Sequence, residues 1–202
     1  MNEYKNVNYQ GNFCERSPKM VDTAVIHHSG TDNKDTPQDI NDTQVVMHED
    51  DRNSAGTPDP WYMIAYNYVI NSPYSNESGS AKVYKGRPDK MKGAHAGAYI
   101  NLNQIEPEAR KELLKGPIEC GYNSDQDPEH TLDSVSARAT AITKSQINRG
   151  YVSANITSVG VLVTGNYAPD VLNGRPNPSG YPRNGTTRYP TEQTLKTTAS
   201  LI

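Results

Sequence analysis

The stretch that decides the fold is Val21-Asp22-Thr23-Ala24-Val25-Ile26-His27-His28-Ser29-Gly30-Thr31, an apolar run that ends in two histidines. A short β-rich segment bounded by Gly, Thr and Asp is typical of a buried strand, and functional side chains leave a sheet where such a strand ends. Because successive strand residues point to opposite faces, we do not expect His27 and His28 to share one pocket. One histidine can be a ligand; the alternative is a pair of hydrogen-bonded core histidines.

The composition indicates one domain with a modest core. The chain has 202 residues, a hydrophobic fraction of 34% and a mean hydropathy of -0.81, with 14 Pro and 15 Gly. These values favour a folded protein with long polar loops, because apolar runs recur along the chain. The aromatic residues are 13 Tyr against one Phe. A tyrosine buries its ring and keeps a hydroxyl for water or sugar, so surface grooves are consistent with this balance.

Charge and cysteine content exclude several classes of protein. The net charge is -3 and no basic stripe is present, so nucleic acid is not an expected partner. Cys14 and Cys120 belong to no CxxC pair, which argues against a disulfide framework or a zinc ribbon; they can pair or stay free. The chain contains no apolar run of membrane-spanning length, and residues 1–10 lack the apolar core of a signal peptide. We therefore expect a protein without a membrane span, made in the cytoplasm.

Residues 1–20 are interpreted as an N-terminal arm, followed by the strand at about Val21–His28. Thr36 and Pro37 can open a helix that runs to about Asp51. The spacing of this helix predicts an inward face made of Ile40, Gln44, Met47 and His48. His48 is accordingly interpreted as a core histidine rather than a ligand.

The next segments predict a hairpin and a histidine-bearing loop. The run from Trp61 to Ile70 is aromatic and β-branched, and strand alternation puts Tyr66, Tyr68 and Ile70 on one face. A short strand at 82–86 completes the hairpin. Residues 93–99 form a small-residue loop that presents His95, where the backbone can approach a ligand closely or simply make a tight turn.

The pattern changes at about 101–154, which is interpreted as an insertion with helices at 107–115 and 134–146. After it, the apolar run 158–166 is typical of a strand at the centre of a sheet that is covered on both faces. A Pro- and Gly-rich loop at 168–189 leads to a final helix with Leu195, Ala199 and Ile202 on one stripe. The sequence stops inside this helix, so we expect a chain truncated at its C-terminus.

Six motifs resemble, in order, those of the zinc-dependent N-acetylmuramoyl-L-alanine amidases, a family that includes phage lysozyme-type amidases and peptidoglycan recognition proteins. The motifs are Val25-Ile26-His27-His28-Ser29, the helix positions Gln44 to His48, Trp61 to Ile70, Val83-Tyr84-Lys85-Gly86-Arg87, Gly93-Ala94-His95-Ala96-Gly97, and Ser158 to Asn166. The resemblance spans 21–202 apart from the insertion. It implies an α/β fold in which a mixed central β-sheet is flanked by helices on both faces and carries an open groove for a peptidoglycan stem peptide.

The same resemblance implies a chemistry. In this family Zn²⁺, held by two histidines and a cysteine or aspartate, cleaves the amide between N-acetylmuramic acid and L-alanine. A catalytic zinc with three protein ligands leaves one position for water, lowers the pKa of that water and polarises the scissile carbonyl. An amide resists attack until both effects operate.

By similarity, His27 matches the first metal ligand and Tyr66 a catalytic tyrosine whose hydroxyl can stabilise the oxyanion. Tyr66 can alternatively be an ordinary strand tyrosine. His95 matches a histidine that contacts substrate, with a structural loop role as the alternative. Asn67 and Trp61 complete the substrate-binding set, with Trp61 as a core or groove-wall anchor.

The chain departs from the family where the remaining ligands belong. The second histidine and the cysteine or aspartate normally follow the last helix, and the sequence ends before them. Other candidate ligands have no supporting spacing; they are Cys120, His130, His28 and His48.

Two interpretations therefore stay open. The first is a phage or bacterial lytic amidase, an endolysin acting on the cell wall. The second is a non-catalytic peptidoglycan-binding or structural module of a phage particle or secretion machine, with the 101–154 insertion as its surface for phage or assembly proteins.

Overall fold

The computed structural model describes residues 11–30, 35–47, 64–71, 79–115, 119–123, 144–165, 167, 171–172, 175–176 and 190–201. The strands are β1 (Gly11–Glu15), β2 (Thr23–His28), β3 (Tyr68–Asn71), β4 (Lys82–Lys85), β5 (Tyr99–Asn101), β6 (Glu119–Asn123), β7 (Tyr151–Ser153), β8 (Ser158–Val163), β9 (Val171–Leu172) and β10 (Arg175–Pro176). The helices are α1 (Pro37–Met47), α2 (Pro107–Leu113), α3 (Ala154–Thr157) and α4 (Glu192–Ala199), with 3-10 turns at Pro18–Met20 and Leu102–Gln104. Of the helix predicted at 134–146, only the end is described, where residues 144–148 are helical.

A mixed four-stranded sheet forms the centre, with the strand order β2-β8-β3-β4. Strand β8 is parallel to both β2 and β3, whereas β3 and β4 are antiparallel. The predicted central strand and hairpin are therefore confirmed. Continuous apolar sequence suits β8 because both of its edges are paired and both of its faces are covered.

Two core layers lie on the two faces of this sheet. On one face, Ile40 of α1 packs with Val69, Leu162 and Ile64; we call this the α1 face. On the opposite face, Ile70, Val161 and Val163 form a cluster against which Leu201, just after α4, packs. The alternation of Val161, Leu162 and Val163 between the layers follows from the strand period of two. The coarse α/β class is thus confirmed.

The predicted arm and the predicted insertion pack on each other. Strand β1 pairs with β6, and β5 pairs with β7, in two small antiparallel sheets. Met20 at the end of the arm is buried against four apolar side chains of the 101–154 region and one that follows it, namely Ile105, Ala109, Leu113, Val152 and then Ile156. These side chains form a third apolar core, separate from the two on the faces of the central sheet.

The predicted inward face of α1 is confirmed at Ile40 and Gln44 and is wrong at Met47. In α1, Met47 is 69% exposed, while Ile40, Asn41 and Gln44 face inward. Asn41 and Gln44 accept hydrogen bonds from the backbone N–H groups of residues 64 and 65, which makes burial of these polar side chains favourable. His48 lies outside the described residues.

The C-terminal helix α4 likewise buries a different stripe. Leu195 is 57% exposed and Ala199 is exposed, whereas Thr194 and Thr198 are buried. The Thr198 hydroxyl donates to the carbonyl of Thr194 at 2.8 Å, so its polar group is satisfied inside the helix. The start of α4 is capped by Thr191, whose hydroxyl accepts from the N–H of Thr194.

Tyr66 also departs from its predicted face. The regular part of the predicted strand starts only at Tyr68, and Tyr66 packs on the α1 face while Tyr68 packs on the opposite face. Alternation does not carry across residues 64–67, because their backbone is not part of a regular strand. No helix among the described residues is long and apolar enough to cross a membrane.

Candidate functional site

Strand β2 separates its two histidines, as alternation predicted. His27 is the parallel partner of Leu162 and therefore lies on the α1 face, half-buried. His28 pairs with Val163, is exposed, and has its ring 6.4 Å from that of Tyr167. Only His27 therefore points toward the site.

His27, Tyr66 and His95 come together near the C-terminal end of β2. The ring centroid of His27 lies 5.4 Å from that of Tyr66 and 5.4 Å from that of His95. The rings of Tyr66 and His95 stack at 6.2 Å. Nε2 of His27 and Nδ1 of His95 are 3.4 Å apart. We call these three side chains the ring cluster; they come from three separate segments of the chain.

Tyr66 is held by its backbone and by α1. Its carbonyl accepts from the N–H of Arg87 at 2.9 Å, and a Cβ on Gly86 would lie 2.4 Å from the same oxygen, so only glycine fits there. Gln44 forms a side-chain hydrogen bond with the Tyr66 hydroxyl. Burial raises the pKa of Tyr66, and the Gln44 bond opposes that shift. The phenol is thus a neutral hydrogen-bond donor near neutral pH.

The His95 ring packs against the backbone of two glycines, Gly93 and Gly160. A Cβ on Gly160 of β8 would come within 2.3 Å of Cδ2 of the His95 ring, and so would a Cβ on Gly93. The imidazole therefore occupies space that any other side chain at these positions would fill. It is only 9% exposed.

Asn155 fixes the backbone of the loop that carries His95. Its Oδ1 accepts from the N–H of His95 and from the N–H of Ala96, both at 2.9 Å, and its Nδ2 donates to the carbonyl of Ala96 at 2.7 Å. The loop also pairs with the tyrosine segment, since the N–H of Ala94 donates to the carbonyl of Ala65. The loop is thus held at several points, which limits where His95 can move.

The electrostatics of the ring cluster favour neutral imidazoles. Burial lowers the pKa of His95 to about 4, and the charges of His27 and Arg16 act in the same direction. A weaker interaction with the backbone of Ser158 raises it. The pKa of His27 is also lowered, by burial first and by His28 second. Both rings therefore keep a nitrogen lone pair at neutral pH.

Arg16 is the buried cation behind this site. Its Nη1 donates to the carbonyls of Asn155, Ile156 and Ser158 at 2.9, 2.7 and 2.6 Å, and its Nε donates to the carbonyl of Asp89. Burial lowers the pKa of Arg16 to about 10, while the charge of Asp89 raises it. A guanidinium surrounded by carbonyls stabilises α3, the short helix between β7 and β8 that carries Asn155.

Asn67 is a structural residue in this arrangement. Its side chain is fully buried; Oδ1 accepts from the N–H of Gly160 at 3.0 Å, and Nδ2 donates to the carbonyls of Arg87, Pro88 and Met91 at 3.3 to 3.4 Å. These bonds enclose the amide, which corrects its assignment as a substrate contact. Trp61, the other residue assigned with it, lies outside the described residues.

The spacing of the two imidazoles fits a pair of zinc ligands. A separation of 3.4 Å is long for a hydrogen bond. Two nitrogens of a tetrahedral site with bonds of about 2.0–2.1 Å are about 3.3 Å apart. His95 thereby becomes a candidate second ligand, a role the sequence did not suggest. Within the described ranges, no group of three or more His, Cys, Asp or Glu side chains could hold a metal. A third ligand is accordingly not identified in that part of the chain.

Sequence reasoning missed three residues that build the site: Arg16, Asn155 and Gly160. Only Gly160 left a signal, because a glycine inside an otherwise apolar strand indicates close approach of another group. The other two act through backbone groups that are distant in sequence. Their roles follow from the fold and not from a motif.

Comparison of the chain with protein-family models, with curated proteins and with solved structures finds no match. The resemblance to the amidases therefore rests on the motifs alone, and the family stays a prediction.

Proposed function

We propose that this chain is a peptidoglycan hydrolase of the N-acetylmuramoyl-L-alanine amidase type, acting in bacterial or phage-induced lysis of the cell wall. The observation that carries the proposal is the ring cluster: His27, Tyr66 and His95 lie within 6.2 Å of one another by ring centroid. The motif resemblance assigns all three residues to the site, and they come from three separate segments of the chain. Core packing alone gives no reason for two neutral histidines to meet a tyrosine at the end of a strand.

The proposed roles follow from the chemistry of each side chain. The neutral imidazoles of His27 and His95 would hold the metal. Their facing nitrogens are 3.4 Å apart, close to the separation of two nitrogen ligands on one zinc ion. The hydroxyl of Tyr66, oriented by Gln44, would donate a hydrogen bond to the oxyanion that forms when the amide carbonyl is attacked. Asn155 and Gly160 would keep His95 in place and prevent it from swinging out of the cluster.

Zinc, when bound, supplies a water of lowered pKa and polarises the scissile carbonyl. Two nitrogens at 3.4 Å meet the spacing that two such ligands require. The remaining ligand would come from a residue after 202, where the resemblance places it, or from a residue of the chain outside the described ranges. His130 is one histidine of the second kind.

A non-catalytic peptidoglycan-binding module is the second candidate function. It is favoured by the lack of a three-ligand group in the described part of the chain, since two histidines alone bind zinc weakly. In that case the ring cluster would contact the wall peptide through its aromatic faces. The two functions make the same prediction for binding and opposite predictions for bond cleavage.

Purified sacculi distinguish the two functions. We expect zinc-loaded protein to release peptides that begin with L-alanine, detected by labelling of new amino termini. His27→Ala should abolish release, and Tyr66→Phe should lower the rate about 10²- to 10³-fold. His28→Ala, on the opposite face of the same strand, is the matched control and should retain the rate of the natural chain.

The outcomes are separable. Pelleting of the protein with sacculi without any release of amino termini would support the binding module and reject the enzyme. Equal release by the natural chain and by His27→Ala would reject the ring cluster as the catalytic site. Isothermal titration with zinc gives an independent reading: we expect one site per chain, lost in both His27→Ala and His95→Ala.

A further inference from the structure

The small sheet formed by β1 and β6 places the two cysteines of the chain opposite each other. In the antiparallel register of this pair, Cys14 is the partner of Cys120, flanked by Phe13 with Gly121 and by Glu15 with Glu119. These two are the whole cysteine content of the sequence. Neither alternative partners nor a larger disulfide framework therefore compete with this pairing.

The register satisfies the distance that a disulfide needs. Directly opposed residues of an antiparallel pair have Cα atoms about 4.5–5.5 Å apart and lie on the same face of the sheet. Disulfides span Cα separations of about 4.4–6.8 Å. Cys14 and Cys120 come from regions separated by about half of the chain, and the fold alone brings them together.

We propose that Cys14 and Cys120, paired in register across β1 and β6, form an intramolecular disulfide that tethers the N-terminal arm to the 101–154 region. Formation removes two protons and two electrons from the two thiols as the S–S bond forms. Oxidised glutathione can accept them and becomes two glutathione thiols. This inference goes beyond the proposed function and does not depend on it.

The tether has a structural consequence for the site. Strand β1 ends at Glu15, and the next residue is Arg16, whose guanidinium holds the carbonyls of Asn155, Ile156 and Ser158. Asn155 in turn holds the backbone of His95. A covalent bond two residues before Arg16 therefore fixes the segment on which this chain of contacts depends. The bond also closes a loop that contains β2, β3 and β4, and long loops gain the most from closure.

Peptide mapping tests the bond directly. The full chain is incubated with oxidised glutathione, denatured, alkylated with iodoacetamide without reductant, and digested with trypsin. We expect the peptides 6–16 and 116–138 to be found joined, and to separate and become alkylated only after reduction. Alkylation of both thiols without reduction would overturn the proposal, and so would a bond between two separate chains.

A variant with a shifted cysteine tests whether the β1–β6 register is required for the disulfide. In the double variant Cys120→Ser with Gly121→Cys, the second cysteine moves to the partner position of Phe13 and to the other face of the sheet. We expect both thiols of this variant to stay alkylatable under the same conditions. Equally efficient bond formation in the variant would show that the β1–β6 register does not govern the reaction.

Thermal unfolding measures the tether. The oxidised chain should unfold about 5–10 °C above the reduced chain. Cys14→Ser with Cys120→Ser should unfold at the temperature of the reduced chain, with or without reductant. Identical unfolding temperatures for oxidised and reduced natural chain would overturn the tethering role. The peptide map needs only the natural chain, so it stands even if a serine variant fails to fold.

Discussion

Gly160 lies directly beneath the imidazole of His95: a Cβ on this glycine would come within 2.3 Å of Cδ2 and 2.5 Å of Cγ of the ring. The ring is buried and its backbone is held by Asn155, so it has little room to yield. The central strand β8 therefore helps to form the site. Because Gly160 has no side chain, the His95 ring from the loop can pack against the strand.

Substitution of Gly160 by alanine should displace His95. We expect a destabilisation of about 1–3 kcal/mol, typical of overpacking in a filled core, and a loss of the contact between His95 and His27. Urea unfolding gives the free energy, and the imidazole NMR signals of the two histidines report the displacement. Gly97→Ala is the matched control, since nothing lies within 4 Å of a Cβ there. Unchanged His95 signals in Gly160→Ala would contradict the packing argument.

Removal of the Asn155 side chain should loosen the histidine loop. Asn155→Ala leaves the N–H groups of His95 and Ala96 and the Ala96 carbonyl without their partner. We expect a loss of about 2–3 kcal/mol in unfolding free energy, because partly buried polar groups lose their bonds. Asn155→Asp keeps the oxygen that accepts from the two N–H groups. Its free energy of unfolding should therefore lie between those of the natural chain and Asn155→Ala. Amide hydrogen exchange at His95 and Ala96 should rise most in the alanine variant; equal exchange in all three proteins would rule out this role.

The parts of the fold that the sequence predicted are those governed by simple periodicity. The run that ends in His27 and the apolar run of β8 became neighbouring strands, and the two histidines separated onto two faces. Each of these results depends only on local alternation and apolar content, which a single sequence displays. The order of the motifs also pointed to His27, Tyr66 and His95 as site residues.

The failures share a physical cause, which is that long-range polar contacts override local patterns. Residues 64–67 read as a strand, but the N–H of Asn67 donates to the carbonyl of Gly160, and the segment is held by side chains of α1. The same contacts turn Asn41 inward beside Gln44, whose inward position was predicted, and Met47 stays exposed. Hydropathy and helical spacing carry no information about which polar side chain will find a backbone partner.

Substitution of Asn67 tests whether this residue contacts substrate or supports the fold. Its amide is fully buried, with its bonds directed to the backbone of β8 and of the loop after β4. Asn67→Ala should therefore destabilise the protein by about 2–4 kcal/mol, through lost hydrogen bonds and a cavity.

Asn67→Asp supplies the comparison, because it keeps the oxygen that accepts from Gly160 and loses the donor group. Unfolding in urea and pelleting with sacculi, measured below the unfolding transition, separate the two roles. A folded Asn67→Ala protein of unchanged stability that no longer binds sacculi would restore the substrate contact.

The stability of the metal-free protein should fall in acid through His95. Its pKa is lowered to about 4 in the folded protein from an ordinary value of 6.5, so the unfolded chain binds more protons between these values. The free energy of unfolding therefore rises with pH across this window. The contribution of His95 is complete above pH 6.5 and is lost as the pH falls toward 4.

Because the His95 ring is partly screened by solvent, we expect its contribution to the free energy of unfolding to be about 2 kcal/mol. Urea unfolding in the presence of a chelator, at pH 7.5 and near 4.5, measures it. The difference between the two pH values should shrink by that amount in His95→Gln. The same pH dependence in the natural chain and in His95→Gln would show that the His95 imidazole is not desolvated in the folded state.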